Sequence, residues 1–207
     1  MDFDIVVVGA GASGISAALS AAQNGAKVAL LEKGNKFGGA GMFGAQGLFA
    51  VGSKAQLERG EEYTIKDAYE EIMTYTHHSS NARMTKAILK ESADTIEWMK
   101  ENGLDSELVT NTQEVHQDHP RTYHQFIDKF NGFQRIMDRF LEAGGTLMTE
   151  TSGQKIVQED GKVVGIEVVD KGKKRTLKTK AVILADGGFV GSSEEVSRYA
   201  KIDHEEM

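Results

Sequence analysis

Three glycines close to the N-terminus, Gly9, Gly11 and Gly14, form a G-x-G-x-x-G motif directly after the apolar run at residues 5–8. A continuous run of β-branched residues is typical of a strand that is buried on both faces. After the motif, apolar residues recur at helical spacing, at Ile15, Ala18, Leu19 and Ala22. A second apolar run covers residues 28–31. This order of strand, turn, helix and strand predicts a βαβ unit with a parallel sheet.

Each glycine of the motif meets a separate physical demand. Gly9 permits a tight turn, Gly11 lets the backbone approach a pyrophosphate, and Gly14 lets the helix pack closely on the strand. The N-terminus of the helix adds unpaired N–H groups and the positive end of the helix dipole. We therefore predict that this loop binds a dinucleotide through Gly9, Ala10, Gly11, Ala12, Ser13 and Gly14.

An acidic residue ends the second apolar run. Glu32 lies 18 residues after Gly14 and is followed by Lys33. A carboxylate at this place accepts hydrogen bonds from the ribose hydroxyls of an adenosine and repels a 2′-phosphate, which argues against an NADP-type ligand. We expect Glu32 and Lys33 to belong to the cofactor site. The alternative is a tight strand–helix turn with no ligand and a solvated acid at the end of the strand.

Composition excludes several classes of protein. The 207 residues carry a net charge of −7 and contain no cysteine. An acidic chain without a basic run is unsuited to nucleic acid, and the lack of cysteine excludes disulfides, iron–sulfur clusters and thiol catalysis. We find no apolar stretch of membrane-spanning length. The acidic N-terminus lacks the basic region of a signal peptide, so we expect a cytoplasmic protein.

The middle of the chain is rich in glycine and then helical. Residues 38–52 contain six glycines and show no clear period, which predicts an extended loop. Helices are predicted at 67–78 and at 81–103, where Asn81 is a candidate N-cap. We expect the apolar face of the second helix to contain Met84, Ala87, Ile88, Thr95, Ile96 and Met99. Residues 104–130 are polar and irregular, and a further amphipathic helix follows them.

The last third of the chain predicts β-structure. Residues 153–180 read as a three-stranded antiparallel meander with turns at Asp160-Gly161 and Lys171-Gly172. A separate buried strand is predicted at 181–185, ending in Asp186-Gly187-Gly188. The expected fold class is α/β: a Rossmann-like FAD/NAD(P)-binding domain with a parallel central sheet, helices and a three-stranded β-meander. We expect residues 1–207 to form one such domain.

Two segments resemble a known family. Residues 32–50, EKGNKFGGAGMFGAQGLFA, and residues 181–189, AVILADGGF, are similar to segments of the FAD-dependent fumarate reductase and succinate dehydrogenase flavoproteins, in particular the soluble fumarate and urocanate reductases. The segments IEWMKENG and GFQRIMDRFLEAGGTLMTET extend the resemblance over nearly the whole chain. The resemblance implies an FAD site that also contains Gly38, Gly39, Ala40, Gly41, Ala45, Gln46, Gly47, Gly153, Ala185, Asp186 and Gly187.

The chain departs from the family pattern at three places. Ala40-Gly41 stands where the family has a polar pair, which leaves only backbone donors there. Gln46 replaces a glycine beside the flavin and adds bulk. Asp186 replaces a threonine, and its carboxylate repels a pyrophosphate unless it turns away. No histidine occurs in residues 38–47, and the resemblance therefore implies non-covalent FAD.

Members of this family are considerably longer than this chain. The resemblance places the proton-donating arginine and the substrate-binding residues in a capping domain that follows the GGF turn, so we assign no catalytic residue here. The first hypothesis is the FAD-binding portion of an oxidoreductase that passes hydride from reduced flavin to an activated C=C of a small carboxylic acid. The second is a fragment or remnant that binds the ADP moiety of a dinucleotide without turnover. The third, a plain NAD-binding dehydrogenase domain, needs neither the glycine loop nor the meander.

A histidine-rich segment raises two smaller alternatives. His116, His119 and His124 lie near Glu114 and Asp118, and these residue types can hold a metal ion. Their spacing matches no helical ligand pair, so we expect no metal site. By resemblance, residues 121–124 lie where the family lines the flavin side of the active site; a solvated loop is the simpler interpretation.

Overall fold

The computed structural model describes residues 1–110 and 119–200, the side chain of residue 200 excepted. The strands are β1 (Phe3–Val8), β2 (Val28–Leu31), β3 (Gly47–Phe49), β4 (Ser106–Leu108), β5 (Tyr123–Phe126), β6 (Thr146–Met148), β7 (Thr151–Glu159), β8 (Lys162–Asp170) and β9 (Lys173–Leu184). The helices are α1 (Ala12–Gln23), α2 (Gly39–Phe43), α3 (Lys54–Glu58), α4 (Ile65–Tyr75), α5 (Ala82–Glu101), α6 (Lys129–Glu142) and α7 (Ser193–Ala200).

The chain divides into two compact units. The first consists of residues 1–39 and the described part of residues 140–207, and the second of the described part of residues 40–139. The first unit contains a six-stranded sheet in the order β6-β2-β1-β9-β8-β7, and the second contains a three-stranded sheet in the order β3-β5-β4. The α/β class predicted from the sequence is confirmed.

The parallel half of the first sheet is centred on β1. It pairs in parallel with β2 on one side and β9 on the other, so that Val7 lies beside both Leu30 and Ile183. Val6 and Val7 are fully buried, as the unbroken β-branched run predicts for a strand covered on both faces. One face packs in a core that contains Val6, Leu31 and Ile166. The carboxyl ends of these parallel strands lie at the edge of the sheet where the glycine motif begins.

The meander differs from the prediction in one respect. Its third strand and the returning strand, predicted as separate elements, form the single strand β9. Residues 173–178 pair antiparallel with β8, and residues 179–184 pair parallel with β1. No glycine or proline interrupts residues 173–184, so one extended segment can serve both partners.

The predicted burial of the returning strand is also wrong. Leu184 is 63% exposed, and Ala181 is exposed as well. The reason is the limited reach of β8, which pairs with β9 only as far as Lys178. Among the described strands, none covers the opposite edge of β9 after that point.

The second unit contains short elements that the sequence did not predict. The glycine-rich segment forms helix α2 and strand β3, and the polar segment after α5 contributes β4 and β5, which pair antiparallel. Elements of three to five residues are too short to show a period. Helices α4 and α5 share a core of Val51, Ala68 and Leu89, against which Tyr63, Tyr69 and Ile72 pack.

Helix α5 begins as predicted, and its predicted apolar face is buried at Ile96 and Met99 but not at the other positions. The Asn81 side chain accepts a hydrogen bond from the N–H of Met84, which confirms the N-cap. The buried residues are Leu89, Ser92, Ile96 and Met99. Met84 and Ile88, expected in the core, are each 61% exposed. None of the described helices is both long and apolar enough to cross a lipid bilayer.

Candidate nucleotide-binding site

Two glycines of the motif are required by close packing inside the first unit. Gly9 has φ of 96°, and a Cβ there would lie 2.5 Å from the carbonyl oxygen of Ala185. A Cβ at Gly14 would lie 1.8 Å from the carbonyl oxygen of Gly9. Any side chain at either position would push the loop away from β9 or from α1. The tight turn and the close helix contact expected of these glycines are therefore present.

Gly11 occupies a different environment. It is the N-cap of α1, its φ and ψ are −78° and −174°, and no side chain caps the helix. A Cβ at Gly11 would have no neighbouring atom within 4 Å, and the first turn of α1 contains no acidic residue. The place that a Cβ would take at Gly11 is therefore open, and the first turn of α1 brings no negative charge of its own, which suits a pyrophosphate at this helix N-terminus.

Glu32 lies against the glycine loop. Its Oε2 accepts a hydrogen bond of 3.2 Å from the N–H of Ala10, and its Oε1 accepts one of 2.8 Å from the N–H of Gly34. The carboxylate is therefore held at the carboxyl end of β2 instead of extending into solvent. Lys33, beside it, is exposed. This geometry brings together the acid and the motif as the spacing predicted.

The glycine pair docks on the first loop. The N–H of Gly38 donates to the carbonyl oxygen of Ala10 at 2.7 Å, and Gly38 forms an isolated parallel bridge with Gly11. The φ of Gly38 is 118°, in the region that only glycine adopts without strain. A Cβ at Gly39 would lie 3.1 Å from the Cα of Gly11. The two glycine segments are thus in backbone contact.

The turn after β9 closes over the same loop. The N–H of Ala185 donates to the carbonyl oxygen of Val8 at 2.8 Å, which extends the pairing with β1 by one residue. A Cβ at Gly9 would lie 2.8 Å from the Cα of Asp186. The Asp186 side chain is exposed, and Gly187 has φ of 86°, with no atom within 4 Å of the place that a Cβ would take. The turn therefore lies at the predicted position, with a carboxylate where the family has a hydroxyl.

Gly153 has a packing role that the sequence did not predict. A Cβ there would lie 3.1 Å from Cγ1 of Val8 and 3.3 Å from Cδ1 of Ile166. Ile166 belongs to the buried core of this unit, and Val8 packs against that core. The contact of Gly153 with adenine stays a prediction.

The remaining predicted site residues belong to the second unit. The N–H of Ala45 donates to the carbonyl oxygen of Ala40 at 2.9 Å, and the N–H of Phe126 donates to that of Gln46 at 2.8 Å. A Cβ at Gly47 would lie 2.3 Å from the carbonyl oxygen of His124. Ala40 and Gly41 lie in α2 and bring no side-chain donor. Residues 45–47, which we call the 45–47 turn, are thus held against β5 through backbone contacts.

Lys129 also contacts the 45–47 turn, and the sequence did not indicate it. Its Nζ donates to the carbonyl oxygen of Ala45 at 2.8 Å and lies 3.4 Å from Oε1 of Gln46. Lys129 is the first residue of α6 and follows Ala45 by 84 positions. A single lysine in a polar stretch carries no signal that connects it with a turn so far away in the chain.

The two described histidines of the metal alternative have separate partners. His124 is 1% exposed, with Nε2 2.8 Å from Oγ of Ser53 and Nδ1 3.2 Å from the carbonyl oxygen of Thr122. His119 Nε2 lies 2.8 Å from a carboxylate oxygen of Glu71. His116, Glu114 and Asp118 lie outside the described residues. Within the described ranges there is no group of three or more potential metal ligands.

The environments of these histidines shift their pKa values in opposite directions. Burial lowers the pKa of His124 from its usual 6.5, because the interior disfavours the imidazolium. The hydrogen bond to Glu71 raises the pKa of His119. Glu71 also accepts a hydrogen bond from Tyr63, and burial together with that bond raises the pKa of the Tyr63 hydroxyl. Arg121 is held by Glu61 through an ion pair of 3.4 Å.

The first unit defines a class of protein. A glycine loop at the carboxyl ends of parallel strands, an acid at the end of the second strand and an uncapped helix N-terminus together form a dinucleotide-binding α/β domain. The chain belongs to the FAD binding domain family, whose model matches residues 4–204. FAD is accordingly the cofactor of this domain, and the open space at Gly11 and the acid at Glu32 fit it.

Similar proteins agree with this family. The chain is 34% identical to a vinyl phenol reductase of Lactiplantibacillus plantarum, over 97% of this chain and 41% of the relative. It is 31% identical to a fumarate reductase (cytochrome) of Shewanella frigidimarina, over 94% of this chain and 35% of the relative. An open flavocytochrome c3 fumarate reductase superposes with a TM-score of 0.84 at 26% identity, covering 96% of this chain and 36% of that one. The resemblance to the fumarate reductase family is confirmed.

The chain spans only part of each relative. It covers 41% of the vinyl phenol reductase and 22% of an NADH:fumarate oxidoreductase of Klebsiella pneumoniae. The chain therefore corresponds to less than half of the length of each of these proteins.

Proposed function

We propose that this chain is the FAD-binding portion of a flavin-dependent oxidoreductase that reduces an activated C=C bond of a small carboxylic acid. The contact of Glu32 with the glycine loop carries the cofactor-binding part of this proposal, because it sets a ribose acceptor beside the pyrophosphate site. When bound, FAD supplies the hydride through N5 of its reduced ring. The names of the relatives, fumarate reductase and vinyl phenol reductase, support reduction of an alkene.

In this proposal, the residues of the chain bind and orient the FAD. The N–H groups at the start of α1 and the loop of Gly9, Gly11 and Gly14 bind the pyrophosphate, and Glu32 accepts hydrogen bonds from the ribose. By the family resemblance, we propose that Ala45, Gln46 and Gly47 contact the flavin. Since residues 38–47 contain no histidine, we propose non-covalent attachment.

We assign no catalytic residue to this chain. The family resemblance places proton donation and substrate binding in a capping domain, so turnover is proposed only for a protein that contains one. The partners within our proposal are FAD and, with that domain, the carboxylic acid substrate; nucleic acid is not among them. A cytoplasmic location also remains a proposal, with which the absence of cysteine is compatible.

The alternative is a fragment or remnant that binds the ADP moiety without turnover. The partial coverage of the relatives, between 22% and 41% of their lengths, favours this alternative for the chain by itself. One assay distinguishes the two candidate functions. The 207-residue chain is supplied with FAD and reduced viologen, and the reduction of fumarate or urocanate is measured. Turnover would exclude the remnant.

The test of FAD binding uses the open space at Gly11. Because a Cβ at Gly11 meets no atom within 4 Å, Gly11→Asp should fold and yet place a carboxylate where the pyrophosphate binds. We expect the wild-type chain to take up FAD, with a flavin spectrum, and Gly11→Asp to lose at least about tenfold in affinity, since like charges at close range repel. Gly191, which is equally uncrowded, supplies the control Gly191→Asp. A folded wild-type chain that takes up no FAD would contradict the proposal.

A further inference from the structure

Five positions in the chain place an asparagine or an aspartate directly before a glycine. Three are Asn–Gly pairs, at residues 24–25, 102–103 and 131–132, and two are Asp–Gly pairs, at 160–161 and 186–187. At such a pair the backbone nitrogen of the glycine can attack the side-chain carbonyl carbon of the preceding residue, because glycine has no side chain to hinder the approach. In an unfolded chain the Asn–Gly pairs react first, since an ionised carboxylate repels the nucleophile and a neutral amide does not.

Folding protects the three Asn–Gly pairs at both reacting groups. The glycine N–H groups donate to main-chain carbonyl oxygens earlier in the chain, at 2.9 Å for Gly25, 3.0 Å for Gly103 and 2.9 Å for Gly132. The asparagine side-chain amides also donate, to Ser20 at 2.9 Å, Trp98 at 2.8 Å and Asp128 at 2.8 Å. An N–H that is held in a hydrogen bond exchanges its proton only when the structure opens locally. The structure therefore protects the pairs that are most reactive by sequence.

The first Asp–Gly pair is held in its shape by a hairpin. Asp160 and Gly161 form the turn between β7 and β8, with φ of 48° and 74°. Glu159 and Lys162 pair directly beside this turn. A rotation of the turn backbone toward a cyclic product is opposed by that strand pair, so we expect slow reaction here.

The second Asp–Gly pair has neither kind of protection. The pairing of β9 with β1 ends before it, where the N–H of Ala185 donates to the carbonyl oxygen of Val8 at 2.8 Å. Within residues 1–110 and 119–200, the N–H of Gly187 forms no hydrogen bond, and the exposed carboxylate of Asp186 forms neither a hydrogen bond nor an ion pair. No atom lies within 4 Å of the place that a Cβ would take at Gly187. Both reacting groups are therefore open.

We propose that Asp186–Gly187 is a site of spontaneous aspartate isomerisation and that the reaction removes the ability of this domain to bind its cofactor. The nitrogen of Gly187 forms a bond to Cγ of Asp186, and the carboxyl hydroxyl leaves with the N–H hydrogen as water, which gives a cyclic succinimide. Water then adds at the former main-chain carbonyl carbon, and the bond from that carbon to nitrogen breaks. The product is isoaspartate; no electron is transferred, and the water that left is regained.

The new linkage alters the turn where it packs on the glycine loop, and both belong to the first unit. The main chain then runs through Cγ and gains one methylene group, and the former main-chain carbonyl becomes a carboxylate. A Cβ at Gly9 would lie 2.5 Å from the carbonyl oxygen of Ala185 and 2.8 Å from Cα of Asp186, so a longer turn must displace the loop. A displaced loop and a backbone-borne carboxylate both oppose a pyrophosphate. This consequence rests on the proposed function, whereas the isomerisation does not.

The first test locates the modification directly. The 207-residue chain is aged without ligand at neutral pH and physiological temperature, once folded and once in guanidinium chloride. Isoaspartate and deamidated asparagine are then located by mass spectrometry of peptides with electron-transfer fragmentation.

In the folded chain we expect isoaspartate at residue 186 to exceed that at residue 160 several-fold, with the three Asn–Gly pairs intact. In the unfolded chain the Asn–Gly pairs should react first. A folded chain that reacts first at an Asn–Gly pair, or equally at residues 160 and 186, would overturn the proposal. Absence of isoaspartate at residue 186 over the period in which the unfolded chain reacts would overturn it as well.

The second test follows FAD uptake during ageing. Asp186→Glu keeps a carboxylate but must close a larger ring, which forms far more slowly, and Asp160→Glu is the matched control in the hairpin. The wild type and Asp160→Glu should lose FAD uptake in proportion to the isoaspartate at residue 186, while Asp186→Glu stays at its own starting value. Loss at the wild-type rate in Asp186→Glu would assign the decline to another cause and contradict the proposal.

Repair of the aged wild type gives an answer that does not depend on a variant. Isoaspartyl methyltransferase with S-adenosylmethionine converts isoaspartate back to aspartate, and this treatment should restore FAD uptake. Uptake that stays lost after repair, or that never falls while isoaspartate forms at residue 186, shows the inferred consequence to be wrong and leaves the proposed function standing. If the fresh wild type takes up no FAD, the proposed function itself fails, and peptide mapping alone decides on the isomerisation.

Discussion

Two histidines whose pKa values shift in opposite directions lie close together in the chain. His119 precedes β5, and His124 lies in it. His124 is enclosed by protein and bonded to Ser53, so folding favours its neutral form. His119, five positions earlier in the chain, is more exposed and bonded to Glu71, so folding favours its charged form. Two residues of one type in one segment thus contribute to stability over different ranges of pH.

His124 should make the protein less stable in acid. Its folded pKa lies below the unfolded value of 6.5, so its contribution is present above pH 6.5 and is lost as the pH falls through the folded pKa. We expect the free energy of unfolding by urea to fall from about pH 7.5 to about pH 5.5 less steeply in His124→Asn than in the wild type. Equal slopes in the two proteins would contradict this assignment.

His119 should act in the other direction. Its folded pKa lies above 6.5, so its contribution is fully present below pH 6.5 and is lost as the pH rises through the folded pKa. The variant His119→Gln should therefore lose stability relative to wild type at about pH 5.5 and differ little at about pH 9. The same urea titrations measure this, and a deficit that grows with pH would show the prediction to be wrong.

At the scale of elements, close contacts between loops, strands and helices decide which glycines cannot be replaced by a residue with a side chain. Helix α1 can approach the end of β1 because Gly14 lacks a side chain. The turn after β9 can approach the glycine loop because Gly9 also lacks one. Strand β9 joins the meander to the parallel sheet, because residues 173–178 pair with β8 and residues 179–184 pair with β1. The nucleotide site is therefore built by the packing of three elements around backbone atoms.

Replacement of Gly14 should destabilise the first unit. In Gly14→Ala the new methyl group would lie 1.8 Å from the Gly9 carbonyl oxygen, and the required shift should cost about 1–3 kcal/mol, as overpacking does. Gly188→Ala, where a Cβ meets no atom within 4 Å, should stay within about 0.5 kcal/mol of wild type. Denaturant unfolding compares the two, and equal stabilities would refute the close contact.

At the scale of the whole molecule, the cofactor should contribute to stability. A ligand that binds only the folded state adds about 2.7 kcal/mol when its concentration is one hundred times its Kd. We expect FAD to raise the unfolding temperature of the wild type and to raise that of Glu32→Ala much less at the same concentration.

Glu32→Ala also removes two hydrogen bonds, to the N–H groups of Ala10 and Gly34. The shift caused by FAD must therefore be measured from the unfolding temperature of the same variant without ligand. NAD serves as the competing ligand for the wild type. A shift by NAD equal to that by FAD would favour the plain dehydrogenase domain over the flavoprotein assignment.

Prediction from the sequence succeeded where a feature is local. The β-branched run before Gly9, the helix after it and Glu32 at the end of β2 all lie within one βαβ unit, whose spacing restricts the geometry. The short elements α2, β3, β4 and β5 were missed because three to five residues show no period. The face of α5 was only partly predicted, because Met84 and Ile88 share a stripe with Ile96 and yet are each 61% exposed.

The sequence by itself determined the parallel sheet, the glycine loop and the acid that faces it, and hence the FAD-binding family. It did so because glycine spacing and strand patterns act over short stretches of chain. Only the tertiary structure decided that β9 is one strand with two partners and that Lys129 reaches Ala45 across 84 positions. These contacts depend on which distant segments pack together, and no local preference of the chain encodes them.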